Sequence, residues 1–554
     1  MENLTQIKTL DGKIFERIAL SGAFNLKAHM QLVNDLNVFP IPDGDTGDNM
    51  FMTINGGLGK LTAETSEEIG KKAKALAGGM LLNARGNSGV ILSQLFAGIS
   101  AGLEGKASAS IDDFANALIS GVKQAYQAVV KPVEGTILTV ARESANYAKS
   151  QVNEDSTLGS FMIDYVKEMH ASLERTPDLL EALKEAEVID SGGAGLLYIA
   201  EGMLNAVEGK NATDEHLEFE TKTEEVDYSK FNENSVMDYG YCTEFLLQLQ
   251  TSKCDVNAFT VEPLVEFLGT LGDSIVAFKT GTIVKVHVHT LTPAKVIEYC
   301  QQYGEFLTIK MENMTLQHSN TGEDFATNKR KTAPRKPFGL VTVATGKGLC
   351  ETFESLGADV VIDGGQGKNP SIERFIEAFD ETNADTIFVL PNNSNIIMAA
   401  KQASEIYDKA DIRVIPCKNF GQAYGILSML DYSGSADEIE EQMIENMEGV
   451  ATAMVTNSIR TATINGVAIN EGDFIGFTDK TMLVASESKL GAFGALCEKL
   501  KVGDSDVFIV VYGEQVDEDL REQTANFVAQ NYPDLEYYEI DGGQEVYDYI
   551  LIIE

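Results

Sequence analysis

Apolar residues recur at three- and four-residue spacing through the first 210 residues, and this period predicts one helix after another. It is clearest in KKAKALAGGMLLNA, IDDFANALISGVKQAYQAVV, TLGSFMIDYVKEMHASL and DLLEALKEA. Segments rich in Gly and Asp separate these runs, among them PIPDGDTGDNM, ARGNSG, VEGT and DSGGAG. We therefore predict an all-α helical domain over residues 1–210, with its functional groups in the loops.

The pattern changes in the middle of the chain. Residues 211–233 are acidic and aperiodic, which predicts a linker. Residues 234–318 mix strand-like runs (CTEFLLQLQ, SIVAFKT, TIVKVHVHT) with helical ones (VEPLVEFLGTLG, PAKVIEYCQQYG) and predict a small α+β domain. Residues 319–337 are polar and predict a second linker.

Strands and helices alternate regularly over residues 338–554. The short apolar runs FGLVTVA, DVVIDG, TIFVLP and RVIPC are each followed by a helical segment, which is typical of a parallel α/β sheet. Further strands (IRTATI, GDFIGFT, KTMLVA, DVFIVVYG, LEYYEI) surround two more helices. The strings VIDGGQ at 361–366 and EIDGGQ at 539–544 echo one another, but six residues are too few to establish a duplication.

The chain is long and strongly acidic. Its 554 residues carry 43 Lys and Arg against 84 Asp and Glu, a formal net charge of −41, which disfavours binding to nucleic acid and to anionic membrane surfaces. Six cysteines without CxxC spacing indicate a reducing cytoplasm. No apolar run reaches the roughly 18–20 residues that a membrane span needs. We expect a cytoplasmic protein that is neither secreted nor integral to a membrane.

The segment NVFPIPDGDTGDNM holds the densest candidate chemistry. Asp43, Asp45 and Asp48 lie within six residues of one another, between prolines that stiffen the chain and glycines that let the backbone approach a ligand closely. Hard oxygen ligands this dense suit Mg²⁺, and Thr46 with the amides after it could open a helix whose N-terminus favours phosphate. A capped turn without metal is the alternative, since Asp, Gly and Asn are turn formers.

A second candidate site lies in the middle of the chain. His287 and His289 are two residues apart in one predicted strand, which places both rings on one face, and Cys242 begins a strand that could lie beside it. One thiolate and two imidazoles are a set that Zn²⁺ accepts, although an isolated HxH is more often incidental. The fourth ligand is open between Glu244, His318 and water.

The ordered set NVFPIPDGDTGDNM, ARGNSGVILSQ, EGTILTVARE and VIDSGGAGLLY resembles the ATP-binding subunits of dihydroxyacetone kinase, in the branch formed by the large ATP-binding subunit of bacterial fatty acid kinase. GYCTEF, VKVHVHT and NMTLQH resemble its middle domain, and GGQ with NPS and PNN resemble its DegV-like C-terminal domain. The resemblance covers nearly the whole chain. It implies an eight-helix barrel in which Asp43 and Asp45 hold two Mg²⁺ over the phosphates of ATP.

The resemblance also implies roles for other positions. The nucleotide and its metal would meet Asn37, Thr46, Asn49, Gly86, Asn87, Ser88, Gly135, Thr136, Asp190, Ser191 and Gly192. The family has a third Asp where this chain has Asn37, so the third metal ligand is open between Asn37 and Asp48. The family's nucleotide-contacting Arg has no clear match, because Arg175 lies only near its place. Zinc would be held by Cys242, His287 and His289.

The implied activity is transfer of the γ-phosphate of ATP to the carboxylate of a fatty acid, giving acyl phosphate and ADP for phospholipid synthesis. Asp43 and Asp45 would be the catalytic residues, and a separate fatty-acid-binding DegV-family protein would present the acyl chain. A dihydroxyacetone or polyol kinase and a non-catalytic lipid-sensing scaffold are the alternatives, and a homodimer is left open.

Ligands of parallel sheets bind beyond the carboxyl ends of the strands, here at Thr345–Gly348, Gly364–Ser371 and Asn392–Ser394. We expect this edge of the C-terminal domain to dock the partner rather than to bind lipid.

Overall fold

The computed structural model describes residues 3–37, 44–129, 131–186, 188–210, 241–256, 258–280, 282–313, 335–458, 461–478 and 481–554. The chain forms two compact units. The first joins Met1–Asp214 to Pro334–Glu554, and the second comprises Glu215–Ala333. The second unit is therefore inserted in the sequence between the two segments of the first, which we call the helical segment and the C-terminal segment.

The helical segment follows the predicted period closely. Its helices are α1 Gly12–Ala28, α2 Met30–Leu36, α3 Thr46–Ala63, α4 Ile69–Leu82, α5 Gly86–Gly102, α6 Ile111–Ala128, α7 Ile137–Gln151, α8 Leu158–Glu174, α9 Thr176–Leu179, α10 Glu181–Glu185 and α11 Ser191–Val207. Side chains of Asp11, Ser110, Thr157 and Asp190 cap helix N-termini. The all-α prediction omits a short antiparallel pair formed by β1 Thr9–Leu10 and β2 Ala109–Ser110.

The inserted unit is an antiparallel sheet with two helices. Its elements are β3 Tyr241–Leu249, α12 Glu262–Leu268, β4 Gly272–Thr280, β5 Ile283–Thr290, α13 Pro293–Gln301 and β6 Gly304–Asn313, and its strand order is β4-β5-β3-β6.

Strand β6 is absent from the prediction. Its sequence alternates apolar and polar residues from Leu307 to Glu312, and the apolar members Leu307, Ile309 and Met311 are 54%, 46% and 42% exposed.

The C-terminal segment contains two sheets and a hairpin. Its strands are β7 Lys336–Ala344, β8 Val360–Asp363, β9 Ala384–Leu390, β10 Asp411–Val414, β11 Ala451–Asn457, β12 Ala462–Ile464, β13 Val467–Ile469, β14 Phe474–Thr478, β15 Thr481–Ser486, β16 Val507–Tyr512, β17 Glu536–Asp541 and β18 Tyr549–Ile553. Its helices are α14 Lys347–Ser355, α15 Ile372–Thr382, α16 Ile397–Ile406, α17 Phe420–Ser428, α18 Ala436–Glu448, α19 Lys489–Leu500 and α20 Glu518–Asn531.

The first sheet has the order β10-β9-β7-β8 and is parallel, which confirms the prediction for this half of the segment. The second sheet has the order β15-β14-β11-β18-β16-β17. In it β16 and β17 are parallel and the other pairs are antiparallel, whereas the prediction for residues 457–554 gave further strands without their direction. The fully buried strand β18 lies between β11 and β16 and is antiparallel to both.

The helical and C-terminal segments share a hydrophobic core. Ala84 and Val90 of the helical segment are fully buried in one cluster with Ile372 and Phe375 of α15. The backbone N–H of Ile372 donates to the carbonyl of Ala84 at 3.3 Å. Gln94 on α5 donates to Gln402 on α16 at 2.8 Å. These contacts explain why the two segments form one compact unit.

Among the helices that the structure describes, none combines the length and the apolar character required to cross a membrane.

We predict that Phe375→Ala lowers the free energy of unfolding of the compact unit by about 3–5 kcal/mol, because it opens a cavity in the shared core. Urea denaturation followed by far-UV circular dichroism measures this loss. Glu377→Ala on the exposed side of the same helix is the control and should change the value by less than about 0.5 kcal/mol. Equal midpoints for the two variants would contradict the assignment of Phe375 to the core.

Candidate functional site

A cavity of about 580 Å³ lies between the helical and C-terminal segments of the first unit. Most of the predicted nucleotide-site residues are at its wall, namely Asn37, Asp45, Thr46, Asn49, Asn87, Ser88, Thr136, Asp190, Ser191 and Gly192. The predicted strand-end residues of the C-terminal segment line the same cavity, among them Thr345, Gly364, Gly365, Asn392, Asn393 and Ser394. The structure thus brings together two groups of loops that local sequence patterns present as separate sites.

Four helix N-termini of the helical segment, as far as the structure describes it, converge on this cavity. Helices α3 and α11 begin at Thr46 and Ser191, and the Ser191 hydroxyl donates to the Thr46 hydroxyl at 3.3 Å. Asn87 and Ser88 lie in the first turn of α5, and Thr136 immediately precedes α7. Backbone N–H groups and the positive ends of the helix dipoles point toward ligands placed there, and both favour anions such as phosphate.

Glycines keep the loops close to one another. Gly86 has φ +57°, and a Cβ at this position would lie 2.7 Å from Nδ2 of Asn49. A Cβ at Gly47 would lie 2.3 Å from the carbonyl oxygen of Met30. Gly86 and Gly135 lie outside the set of residues that line the cavity; the Gly135 N–H donates to the Thr139 hydroxyl at 2.9 Å. Both support the wall rather than form it.

Asp45 is the buried carboxylate of the site, with 5% of its surface exposed. It stands at the N-cap position of α3 but its side chain makes no capping bond. Its Oδ2 instead accepts a hydrogen bond from Nδ2 of Asn369, which belongs to the C-terminal segment, at 2.7 Å. Burial raises the pKa of Asp45 above its ordinary value, while hydrogen bonds from Asn49 and Asn369 oppose this rise. Such a carboxylate gains strongly from a nearby cation.

Of the two other carboxylates of this loop, the structure describes Asp48 but not Asp43. Asp48 is exposed and is absent from the cavity wall, and its Oδ2 accepts from Nδ2 of Asn34 at 2.6 Å. Asn34 also accepts the N–H of Gly47 at 2.7 Å, so it fastens the first turn of α3 to α2. Asp43 lies outside the described residues. The assignments of both carboxylates as metal ligands stay predictions.

Arg175 is engaged elsewhere. Its guanidinium donates to Glu143 at 2.6 Å and to Glu168 at 2.7 Å. These bonds connect the end of α8 to α7 and give Arg175 a structural role.

The predicted zinc ligands lie in the sheet of the inserted unit. Cys242 pairs with His289, and Glu244 pairs with His287, across β3 and β5. The side chains of Cys242, His287 and His289 lie outside the described residues, as does His318. Within the part of the chain that the structure describes, there is no cluster of three or more His, Cys, Asp or Glu side chains suited to a metal. The zinc site stays a prediction.

Sequence reasoning missed one contact at the site and two residues of the cavity wall. Asn369 lies in the NPS string, 324 positions from Asp45, and no spacing rule connects the two residues. The exposed Lys131 and Lys418 line the cavity and add positive charge to an acidic chain.

Comparisons with known protein families divide the chain into three domains. Residues 40–205 match the DAK2 domain, residues 238–321 match the FakA-like middle domain of fatty acid kinase, and residues 339–554 match the FakA-like C-terminal domain of fatty acid kinase.

Protein YloV of Bacillus subtilis is 39% identical over 555 residues, covering 99% of this chain and all of that protein. An uncharacterized protein of Staphylococcus epidermidis is 36% identical over 558 residues with the same coverage. The solved structure of DegV, a fatty acid binding protein from Bacillus subtilis, aligns with 39% of this chain and 99% of its own at 12% identity, with a TM-score of 0.30.

The carboxylate of Asp190 caps α11 by accepting the N–H of Gly193 at 2.7 Å. We predict that two substitutions of this residue differ in their effect on the free energy of unfolding. Asp190→Ala removes the cap and should lower the free energy of unfolding by about 1 kcal/mol. Asp190→Asn keeps a capping oxygen and should be tolerated.

The Asn variant also has a pH signature. Burial raises the pKa of Asp190 to about 6 from the ordinary 3.8, so stability from this group is present below about pH 4 and is lost as the pH rises through 6. The melting temperature of Asp190→Asn relative to wild type should therefore rise between pH 4 and pH 7. A constant difference across this range would show that Asp190 titrates normally.

Proposed function

The chain belongs to the family of FakA-like fatty acid kinase proteins with an N-terminal DAK2 domain, and we propose that it transfers the γ-phosphate of ATP to the carboxylate of a fatty acid. The observation that carries the proposal is the convergence of four helix N-termini and the buried Asp45 on one cavity. The products are acyl phosphate and ADP.

The residues at the wall fit a magnesium nucleotide. Backbone N–H groups at the starts of α3, α5, α7 and α11 suit phosphate oxygens. Asp45, Asn49 and Asn37 offer oxygen atoms of the hard kind that Mg²⁺ prefers, and Asp43 is the further carboxylate of the same loop. When bound, Mg²⁺ would neutralise charge on the β- and γ-phosphates.

The protein's part in the reaction is to position and to stabilise charge. The helix N-termini would hold the phosphate chain, and Asp45 would hold the metal ion that accompanies it. A carboxylate oxygen of the acceptor attacks the γ-phosphorus, and the bond from that phosphorus to the β,γ-bridging oxygen breaks. The electron pair leaves with ADP. No proton is transferred, because a fatty acid carboxylate is already ionised at neutral pH.

The acyl chain is best held by a separate protein. The apolar void inside the helical segment has about 40 Å³, well below the roughly 300–1,000 Å³ of ordinary ligand pockets. It does not accommodate an acyl chain. The exposed Lys131 and Lys418 at the cavity would attract the carboxylate of a fatty acid presented by a carrier.

We predict that Asp45→Ala lowers turnover at least about a hundredfold, because it removes the buried oxygen ligand of the metal nucleotide. ADP release in the presence of a fatty acid and its carrier protein measures this effect. Asp35→Asn, an exposed change on α2, is the control and should keep wild-type turnover. Near-normal ADP release by Asp45→Ala would mean that this loop does not form the kinase site.

The acceptor can be identified chemically. Hydroxylamine converts an acyl phosphate to a hydroxamate and leaves a sugar or polyol phosphate intact. We expect hydroxamate to form in proportion to the ADP released. ADP release without hydroxamate would instead indicate a hydroxyl acceptor.

A further inference from the structure

Asn369 connects the C-terminal segment to the proposed cation site. It lies in the loop between β8 and α15, is 3% exposed, and donates from Nδ2 to Oδ2 of Asp45 at 2.7 Å. A second, longer contact joins Nδ2 to Oδ1 of Asn49 at 3.4 Å. The side chain is therefore enclosed between two oxygen-bearing groups at the start of α3.

The other polar atom of Asn369 has no partner. Its Oδ1 is buried, and no donor among the described residues reaches it. Leaving a buried acceptor unsatisfied costs about 1–3 kcal/mol, so native proteins rarely keep one without a function. Three oxygen-bearing groups thus lie together: the amide of Asn369, the carboxylate of Asp45 and the amide of Asn49. A group of oxygen atoms like this one suits a cation.

The spacing of these atoms fits magnesium coordination. Mg²⁺ binds six oxygens at about 2.0–2.1 Å in an octahedron, which places neighbouring ligand oxygens about 2.9 Å apart. Nδ2 of Asn369 lies 2.7 Å from Oδ2 of Asp45. In this orientation Nδ2, not Oδ1, faces Asp45. A half-turn of the terminal amide, made when a cation replaces this hydrogen bond, exchanges the two atoms and brings the unpartnered oxygen to the position of a neighbouring ligand.

The backbone around Asn369 is firmly held. Gly365 and Lys368 exchange two backbone hydrogen bonds of 3.0 and 3.1 Å, and they close the loop before Asn369. After it, the Ser371 side chain caps α15, and the N–H of Ile372 donates to Ala84 of the helical segment. The position of Asn369 is thus set by both segments before any ligand binds.

We propose that Oδ1 of Asn369 is an oxygen ligand of the divalent cation on Asp45, so that the C-terminal segment completes the metal site of the helical segment. This inference rests on the proposed function, because it assigns a ligand to the same cation. It gives the C-terminal segment a direct part in nucleotide binding, distinct from the docking of a partner.

The test is Mg²⁺ binding by the full-length protein saturated with β,γ-imido-ATP, measured by isothermal titration calorimetry. Loss of one metal ligand should weaken Mg²⁺ affinity about tenfold or more in Asn369→Ala. Gln402→Ala is the matched control: it removes a side-chain amide from the same contact between segments but away from Asp45, and should bind Mg²⁺ as wild type does.

Asn369→Asp separates a cation role from a tether between the segments. An added carboxylate should tighten Mg²⁺ binding and enlarge the rise in melting temperature that Mg²⁺ produces. If Asn369 only tethers the segments, loss of its donor and repulsion from Asp45 would lower the melting temperature with or without Mg²⁺, which would overturn the inference.

The variant Asp45→Ala distinguishes a failure of the role proposed for Asn369 from a failure of the proposed kinase site. Wild-type Mg²⁺ affinity in Asn369→Ala together with lost affinity in Asp45→Ala would refute the role of Asn369 and leave the proposed kinase site standing. Wild-type affinity in Asp45→Ala would refute the kinase site itself.

Discussion

A carboxylate buried away from water needs a positively polarised partner. Asp45 is such a carboxylate, and it lies where the helical segment meets the C-terminal segment. The partners that the structure describes for Asp45 are mainly the dipole of α3 and side-chain amides. This arrangement explains how a chain of net charge −41 can offer a site to a polyanion. Helix N-termini concentrate positive potential at one point, whereas a patch of Lys and Arg would require basic residues that this composition lacks.

The sequence predicted local features well. Helical periodicity located most helices of the first 210 residues, and the Gly- and Asp-bearing loops proved to lie at or beside one cavity. It failed where pairing is non-local. Strand β6 was not predicted although residues 307–312 alternate apolar and polar, and β18 enters its sheet between strands that precede it by dozens of residues. Nothing in either local sequence could indicate that Asn369 meets Asp45, because only tertiary packing brings them together.

The internal echo corresponds to two strand ends in the structure. VIDGGQ spans the end of β8 and the turn after it, and EIDGGQ does the same for β17; each of these strands is paired in parallel with its neighbour. Gly543 has φ 66°, which glycine adopts without strain, whereas Gly365 has φ 158°, close to extended backbone. Gln366 and Gln544 both line the cavity. The two strings therefore share a place in the fold, at the carboxyl end of a strand and beside the cavity, although their backbones differ at the second glycine.

The core shared by Val90 and Phe375 has a consequence for biosynthesis. Ribosomes add about 5–20 residues per second, so tens of seconds separate the emergence of these two side chains. During that interval the completed helices expose the apolar surface around Val90, because the C-terminal segment that buries it has not yet been translated. Nascent chains of this protein should accordingly depend on chaperones most heavily while the inserted unit is being made.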